Sequence, residues 1–515
     1  MDPSPSLGYG RVSQRVQPAR ARALRDQPAQ RLGGRPGPLG ACIPAFDRFD
    51  LTYATVTRRI ERGRGRSSDS VLRSVPHDET ISGMTASAVG VRGGRRVLLD
   101  DVARAGSRRL LSRLRGGTLS VHERNRVDTF GLLDPRDPLA AHVRVHSQSA
   151  YGSLLRGSIG LAETYACGLW DADDLVSVIR LAARNIGRFD EVRHLLRPLV
   201  APVQAVAGLR RRNTLERSRD CIAAHYDLGN DLYGLFLDET MSYSAAYFVR
   251  PETSLVDAQR TKLTRICEKL QLRPGEHLLE FGTGWGEMAI HAARECGARV
   301  TTATISPAQH EAVTRRVREA GLQDRVTVLL EDYRTVVGTF DKLVAIEMIE
   351  AVGWRDFPTF FRICSQRIAD HGAMLLQAIT IDDRAYEVEK ATRSFIKTTM
   401  FPGGCLPSVE SLIHNMARQS DLRLVHLEDI TPHYVATLQH WRRRFTAAAR
   451  RLDEHGYDER FRRRWLFYLA YSEAGFSERR TRDVQLLMAK PRYRGEGDWE
   501  CPPPAASSTP QATRP

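Results

Sequence analysis

The stretch His277–Gly286, HLLEFGTGWG, constrains this chain more than any other. Residues of strand character run into a Gly-Thr-Gly-Trp-Gly turn, and an amphipathic segment, Glu287–Cys296, follows at once. A glycine turn between a buried strand and a helix lets a ligand approach the backbone, and the helix start offers unpaired N–H groups. The turn has room for an adenosine but lacks the Lys-Ser/Thr that holds a phosphate in a P-loop. Glu280, at the end of the strand, is placed to accept hydrogen bonds from a ribose or an amino group.

A regular alternation surrounds this turn. Strands are predicted at His277–Thr283, Arg299–Ile305, Val326–Leu330, Lys342–Met348, Ala373–Thr380, Arg423–Leu427 and Val484–Ala489. Helical patterns lie at Glu287–Cys296, Pro307–Gly321, Asp356–Ala369 and Pro407–Gln419. Such alternation implies a largely parallel sheet covered on both faces, with ligands at the carboxyl ends of its strands. Ile381–Ser408 and Thr431–Arg482 are too long for crossovers and are expected to build a cap that encloses substrate. Cys221–Phe248 is dense in aromatics and turn formers, as expected of a segment that packs against something and faces a ligand.

Upstream, Val97–Leu114 reads as a helix, Gly117–Gly131 and Ala141–Val145 as strands, and Tyr151–Asn185 as helices jointed at Gly160, Gly168 and Trp170. No acid/base cluster stands out there, which suits a small α+β accessory domain. Residues 1–83 are rich in Arg, Pro, Gly and Ser without periodicity and read as disordered, with Met84 as an alternative start. The connector Ile186–Asp220 sets Arg210-Arg211-Arg212 beside the apolar stretch Leu199–Leu209. It reads as a solvated linker helix or as a surface for anionic headgroups.

With 515 residues, two or three domains are expected. The net charge of +15 fits an anionic partner, either membrane or nucleic acid. Yet only six of the 76 basic residues are lysine, a bias that GC-rich coding also produces. Eight cysteines without a CxxC argue against a zinc site or a disulfide framework, so no metal is expected and a reducing cytosol is. No run reaches the roughly 20 apolar residues of a membrane span.

The strand–turn–helix order with Glu280 before the turn resembles S-adenosylmethionine-dependent methyltransferases. A dinucleotide-binding Rossmann unit would carry an acidic residue after the second strand, where Thr302-Ala303-Thr304-Ile305-Ser306 stands instead. More specific are seven stretches in order: HYDLGNDLYGLFLDETMSYS, EFGTGWGEMAIHAA, ATISPAQ, VAIEMIEAVG, FIKTTMFPGGCLPS, PHYVATLQHWRRRF and FYLAYSEAGFSERRTRDVQLLMAK. Over Tyr226–Pro491 they resemble the cyclopropane-fatty-acyl-phospholipid synthase family, including its mycolic-acid and tuberculostearic-acid relatives. SIGLAETYACGLWDADDLVSVIRLAARN resembles, more weakly, the N-terminal domain of longer bacterial members.

The resemblance implies an α/β, Rossmann-like methyltransferase fold with a mainly parallel seven-stranded sheet, helical cap insertions and a small α+β N-terminal domain. The expected division is an extension at 1–83, an accessory domain at 84–200, a basic linker helix at 201–225, a catalytic domain at 226–491 and a tail at 492–515. S-adenosyl-L-methionine is the implied cofactor. Its implied contacts are Tyr243 and Ser244; Glu280, Gly282, Thr283, Gly284 and Gly286 in the turn; Thr304, Ile305 and Gln309; and Asp332, Tyr333 and Arg334.

The implied chemistry is transfer of a methyl carbon to the cis double bond of an acyl chain, with a bicarbonate ion as general base. Of the residues around that ion, Glu350 and Tyr434 match the family and Ile379 keeps its place. Ala245 stands where a Cys is common, Gln377 where a His is, and Ser472 where a further Cys is. Gln377 still donates a hydrogen bond, whereas Ala245 offers only its backbone N–H. Cyclopropane formation is the leading expectation, with a methylene- or methyl-branched product next and a catalytically impaired lipid-binding homologue third. An RNA or protein methyltransferase would show an Asn-Pro-Pro-Tyr or Cys motif where IEMIEAVG stands, so no nucleic acid is expected. Expected partners are unsaturated phospholipid acyl chains at an anionic membrane surface, with a homodimer left open. The expected location is cytoplasmic, peripheral to the inner face of the plasma membrane.

Overall fold

The computed structural model describes residues 101, 103–187 and 230–495. The expectations for residues 1–83, for the connector at 201–225 and for the tail beyond 495 lie outside these residues. So does the start of the predicted helix Val97–Leu114, whose remainder is helical over 103–111. Among the described residues no helix is long and apolar enough to cross a membrane, and no group of His, Cys, Asp or Glu is arranged to hold a metal ion.

The N-terminal part is a small α+β subdomain. Strands β1 (Gly117–Glu123), β2 (Arg126–Leu132), β3 (Ala140–Val145) and β4 (Trp170–Ala172) form a sheet in the order β2-β1-β3-β4. Helix α1 (Gly157–Ala166) lies against β4, and strict alternation along β1 buries Leu119 and Val121 on the side where helix α2 (Leu175–Arg184) packs. Asp174 caps α2 by accepting from the N–H groups of Val176 and Ser177. Two joints differ from expectation. Gly160 lies inside α1, where a Cβ would stand 2.5 Å from the Ser153 carbonyl oxygen, and Trp170 opens a strand rather than a helix.

The second sheet carries the seven predicted strands: β5 (His277–Phe281), β6 (Arg299–Thr304), β7 (Val326–Leu330), β8 (Phe340–Ile346), β9 (Ile368–Ile381), β10 (Arg423–Asp429) and β11 (Thr481–Ala489). Their order is β10-β11-β9-β8-β5-β6-β7. The pairs β5–β6, β5–β8, β6–β7 and β8–β9 are parallel, and β11 runs antiparallel between β9 and β10. Leu278, Leu279 and Phe281 are buried, as an inner parallel strand covered on both faces requires.

One long helix, α3 (Leu255–Leu270), has no counterpart in the sequence expectations. Its signal is ordinary: Ser254 caps Asp257 N, and Leu255, Ala258, Leu263, Ile266 and Leu270 form a buried stripe at helical spacing. The helices expected within the alternation are α4 (Glu287–Glu295), α5 (Pro307–Glu319), α6 (Phe357–Arg367) and α7 (Val409–Gln419).

The cap is helical. It consists of α8 (Thr431–Ala447), α9 (Glu459–Ser477) and short helical turns between Asp383 and Met400. An aromatic core of Tyr233, Phe236, Trp441, Phe445 and Trp465 joins α8 and α9, with ring centroids 6.0–6.2 Å apart. The subdomain is fastened to α9. Arg463 donates to the Tyr165 and Trp170 carbonyls and pairs with Asp171, while Arg180 and Arg184 both hold Glu478.

Two glycines of the central turn separate folding from binding. Gly286 has φ +86, and a Cβ there would meet Val313 Cγ1 at 2.6 Å; Gly284 has φ +52 and open space around it. Gly286→Ala is expected to lower Tm by several degrees, from strain of about 1–2 kcal/mol plus the clash. Gly284→Ala should cost only the smaller backbone term. Equal losses in thermal unfolding would contradict this assignment.

Candidate active site

A cavity of about 420 Å³ opens at the carboxyl ends of β5, β6 and β8, under the cap. One end is formed by the turn after β5. Gly282, Thr283, Gly284 and Trp285 line it, and Thr302 Oγ1 fixes the turn by donating to Thr283 Oγ1 at 2.8 Å. Glu280 is 3% exposed and its Oε2 has no partner among the described residues, so burial pushes its carboxyl up to about 8. A buried carboxyl with one oxygen unpartnered among the described residues, beside an open Gly284, fits a ligand that brings hydroxyl or ammonium donors, as the ribose and amino groups of S-adenosylmethionine do.

From β6, Thr304 Oγ1 donates to Gln309 Oε1 at 2.8 Å, so the Gln309 amide reaches the cavity in a fixed orientation. After β7, Tyr333 lies against Phe281 and Phe360, with ring centroids 5.7 Å away in each case, and its hydroxyl has no partner among the described residues. Asp332 is engaged within its own loop. It accepts from the Arg334 backbone and holds the Arg334 guanidinium at 2.7 and 2.8 Å.

The other end of the cavity is organised around a residue that the sequence reading did not single out. Strand β8 ends at Ile346, and Glu347 follows with φ +48, a left-handed conformation costly for a non-glycine residue. The turn is held by its N–H, which donates to the Gln377 carbonyl at 2.8 Å. The Glu347 carboxylate then collects donors from three other segments. Ala245 N reaches Oε1 at 2.8 Å, Gln377 Nε2 reaches Oε1 at 2.8 Å, and the Tyr434 hydroxyl reaches Oε2 at 2.8 Å. Burial raises the Glu347 carboxyl, while the hydrogen bonds from Ala245 and Tyr434 and the charge of Lys262 work against that rise.

Glu350, three residues on, is placed differently. Its Oε1 accepts from Ile379 N at 2.5 Å and its Oε2 has no partner among the described residues. Burial, then repulsion from Glu347, pushes its carboxyl up to about 8. Lys262 of α3 is 1% exposed and donates to Ser244 Oγ at 2.7 Å. Burial lowers its ammonium to about 8 against the pull of Glu347 and other acids.

The donors expected around a bicarbonate ion (Tyr434, Gln377 and the Ala245 N–H) thus converge on Glu347, and only the Ile379 N–H turns to Glu350. Ala245 and Gln377 are fully buried and do not face the cavity; nor does Gly286, which packs on Val313. Tyr243, Ser244, Ile305, Ile379, Tyr434 and Ser472 do face it. The remaining wall is mainly apolar and aromatic, with Ile381, Ile396, Phe401, Leu438, Tyr468 and Phe476 among its members and Glu389, Ser394 and Lys397 as polar exceptions. Tyr434 stacks on Phe476 at 4.3 Å, and Tyr243 and Tyr468 share a hydroxyl hydrogen bond of 2.6 Å. A sequence signal for Glu347 existed: a carboxylate directly after the fourth strand, at the ligand-binding edge of such a sheet.

Comparison with known proteins agrees with this geometry. Residues 213–486 match the family model described as mycolic acid cyclopropane synthetase. The chain is 39% identical over 353 residues to the tuberculostearic acid methyltransferase UfaA1 of Mycobacterium tuberculosis, spanning 66% of this chain and 81% of that protein. It is 35% identical over 352 residues to the cyclopropane-fatty-acyl-phospholipid synthase of Escherichia coli, spanning 67% and 86%. Among solved structures, that of the cyclopropane synthase MmaA2 from Mycobacterium tuberculosis superposes with a TM-score of 0.50 at 28% identity, covering 53% of this chain and 98% of that one.

The raised carboxyl of Glu350 makes a stability prediction. A group with an ordinary value of 4.5 that titrates near 8 when folded takes up a proton on folding, so its stabilising share is complete below 4.5 and is lost as pH rises toward 8. Glu350→Gln removes that loss. Its stability advantage over wild type is expected to grow between about pH 4.5 and 8, reaching a few kcal/mol, with Tm rising in step. A pH-independent difference in thermal unfolding would show that Glu350 is not held neutral.

Proposed function

This chain belongs to the mycolic acid cyclopropane synthetase family and is an S-adenosylmethionine-dependent methyltransferase, and from that premise we propose that it transfers a methyl carbon to the cis double bond of unsaturated phospholipid acyl chains. The observation that carries the proposal is the joining, in one buried cavity, of the glycine turn, an apolar and aromatic wall, and a fully hydrogen-bonded carboxylate.

When bound, S-adenosylmethionine supplies an electrophilic methyl group on a sulfonium. Glu280, Gln309 and the N–H groups of the Gly282–Gly286 turn would hold it, and Tyr333 would cover its base. The apolar wall positions the alkene and excludes water, which a nucleophile as weak as an alkene requires. The new C–C bond leaves positive charge on the neighbouring carbon. Tyr434, Tyr468 and Phe476 present aromatic faces to it. Glu347 then takes up the proton that must leave. No donor of the Ala245–Gln377–Tyr434 set is left over for a bicarbonate ion, so no step is assigned to one.

Loss of the proton from the added carbon, with ring closure, gives a cyclopropane. A hydride shift followed by proton loss gives a methylene branch. The higher identity to a tuberculostearic acid methyltransferase, 39% against 35%, favours the branched product as a second reading. For the membrane face, Arg355 and Lys390 lie over Trp354 at 4.3 and 5.0 Å, close in sequence to the cavity residues Val352 and Glu389. Such an aromatic and cationic patch suits an anionic headgroup layer.

Incubation with labelled cofactor and oleoyl phospholipid vesicles is expected to add one CH₂ per modified chain by mass spectrometry. Hydrogenation separates the ring from the methylene product. The rate should be unchanged in bicarbonate-free buffer, and Glu347→Gln should lose product formation by about 10²-fold or more while binding cofactor normally in calorimetry. Absence of any modified lipid, or full turnover by Glu347→Gln, would refute the corresponding part.

A further inference from the structure

Strand β11 carries an acid where a sheet interior normally has none. Asp483 has no exposed surface and stands opposite Ile379 in the antiparallel register of β9 and β11. Its main chain is fully engaged: the N–H donates to Thr431 Oγ1 at 3.1 Å and the carbonyl accepts from Ile430 N at 2.8 Å. Its side chain serves no evident folding purpose. Oδ1 has no partner among the described residues, and Oδ2 accepts from Gln377 Nε2 at 3.1 Å. That same nitrogen donates to Glu347 Oε1 at 2.8 Å. The buried Asp483 carboxyl and the half-buried Glu347 carboxyl therefore share one amide NH₂ group.

Carboxyl groups so close in a buried site do not both ionise; the pair holds one proton between them. The donors decide which member holds it. Glu347 receives Ala245 N, Tyr434 OH and Gln377 Nε2, whereas Asp483 receives Gln377 alone and keeps an orphan oxygen. Several donors favour a carboxylate, while a neutral acid needs fewer and contributes a donor of its own. We infer that Asp483 carries the proton of a shared Glu347–Asp483 carboxyl pair, and that its O–H is what holds Glu347 ionised and oriented.

Asp483 is thus a positioning residue acting through Glu347. The inference rests on the proposal that Glu347 accepts the substrate proton. The groups facing the pair are Lys262 from α3, Glu350 after β8, Tyr434 from α8, Gln377 from β9 and Gln485 from β11. Lys262 favours ionisation of both members and so does not choose between them. Burial, and then repulsion from Glu347 and Glu350, holds the Asp483 carboxyl well above the usual carboxylate range, in keeping with the assignment.

The test is the pH dependence of kcat/KM on oleoyl phospholipid vesicles for wild type, Asp483→Asn, Asp483→Leu and Glu347→Gln. Asparagine is neutral and keeps a donor, so Asp483→Asn is expected within about threefold of wild type with its acid limb in place. Leucine removes the donor, and the acid limb should rise by about one pH unit. An Asn variant as inactive as Glu347→Gln would overturn the inference, because the charge of Asp483 would then be required. So would an acid limb that neither variant moves. Infrared spectroscopy gives an arm independent of turnover and of whether the Leu variant folds. One C=O stretch, beside those of the Glu280 and Glu350 carboxyls, should vanish in Asp483→Asn and persist in Glu347→Gln; the reverse pattern would place the proton on Glu347. Full turnover by Glu347→Gln would sink the proton-acceptor reading, while the infrared result would still decide where the proton sits.

Discussion

The polar interior depends on one strained turn, that of Glu347 at the end of β8. A left-handed backbone at a non-glycine residue costs about 1–2 kcal/mol. Three hydrogen bonds to a charged group, each contributing about 1.5–3 kcal/mol, more than offset it. Those bonds come from the loop after Tyr243, from β9 and from α8, so the carboxylate ties the sheet to the cap at the point where the cavity lies. Removing one donor would leave a buried charge short of partners, a larger penalty than the bond itself is worth.

Much of this architecture was legible because its signals are local. The seven strands and the helices between them follow from hydrophobic runs broken by glycine turns, and Glu280 stands out as an acid next to the last residue of the strand before such a turn. Helix α3 was equally legible from Ser254 and its apolar stripe, a signal that lies between the aromatic segment Cys221–Phe248 and the strand β5. What the sequence did not reveal is the partnering of charges. Glu347, Asp483 and Gln377 are far apart in the chain and meet only because β9 pairs with β11 and β8 with β9. The resemblance pointed to Glu350, Tyr434, Gln377 and Ala245 as neighbours. It could not show that an acid three residues before Glu350 would gather the donors. Lys262 was invisible for the same reason: a lysine on a helix usually faces water, and only the fold buries it.

The N-terminal subdomain and the cavity share a wall. Helix α9 offers Tyr468, Tyr471, Ser472 and Phe476 to the cavity, while Arg463 near its start and Glu478 just past its end are gripped by the subdomain. Phe395 in the cap is tied to it as well, through its N–H to Ser158 Oγ. None of the described residues of the subdomain lines the cavity, yet it fixes the helix that does. This is how a segment without an acid/base cluster bears on the chemistry, by limiting how far the aromatic wall can shift.

A proton acceptor fixed to the chain differs from an ion that binds and leaves. Glu347 needs no binding step and its orientation is set by the fold, but once protonated it cannot be exchanged for a fresh base. A line of polar side chains does run outward from it. Gln377 receives from Gln485, which accepts from Lys269, which in turn pairs with Glu428. Two of these are amides, and an amide relays a proton only by passing through a costly tautomer, so this line orients charge rather than conducting it. Of the titratable groups that act on Glu347 and Asp483, Tyr434 and Lys262 are buried, and Glu350 is half-buried and opens onto the cavity. Under the proposed chemistry, release of the proton is therefore linked to opening of the cavity, the same event that exchanges product for substrate, and resetting the base becomes part of product release rather than a separate step.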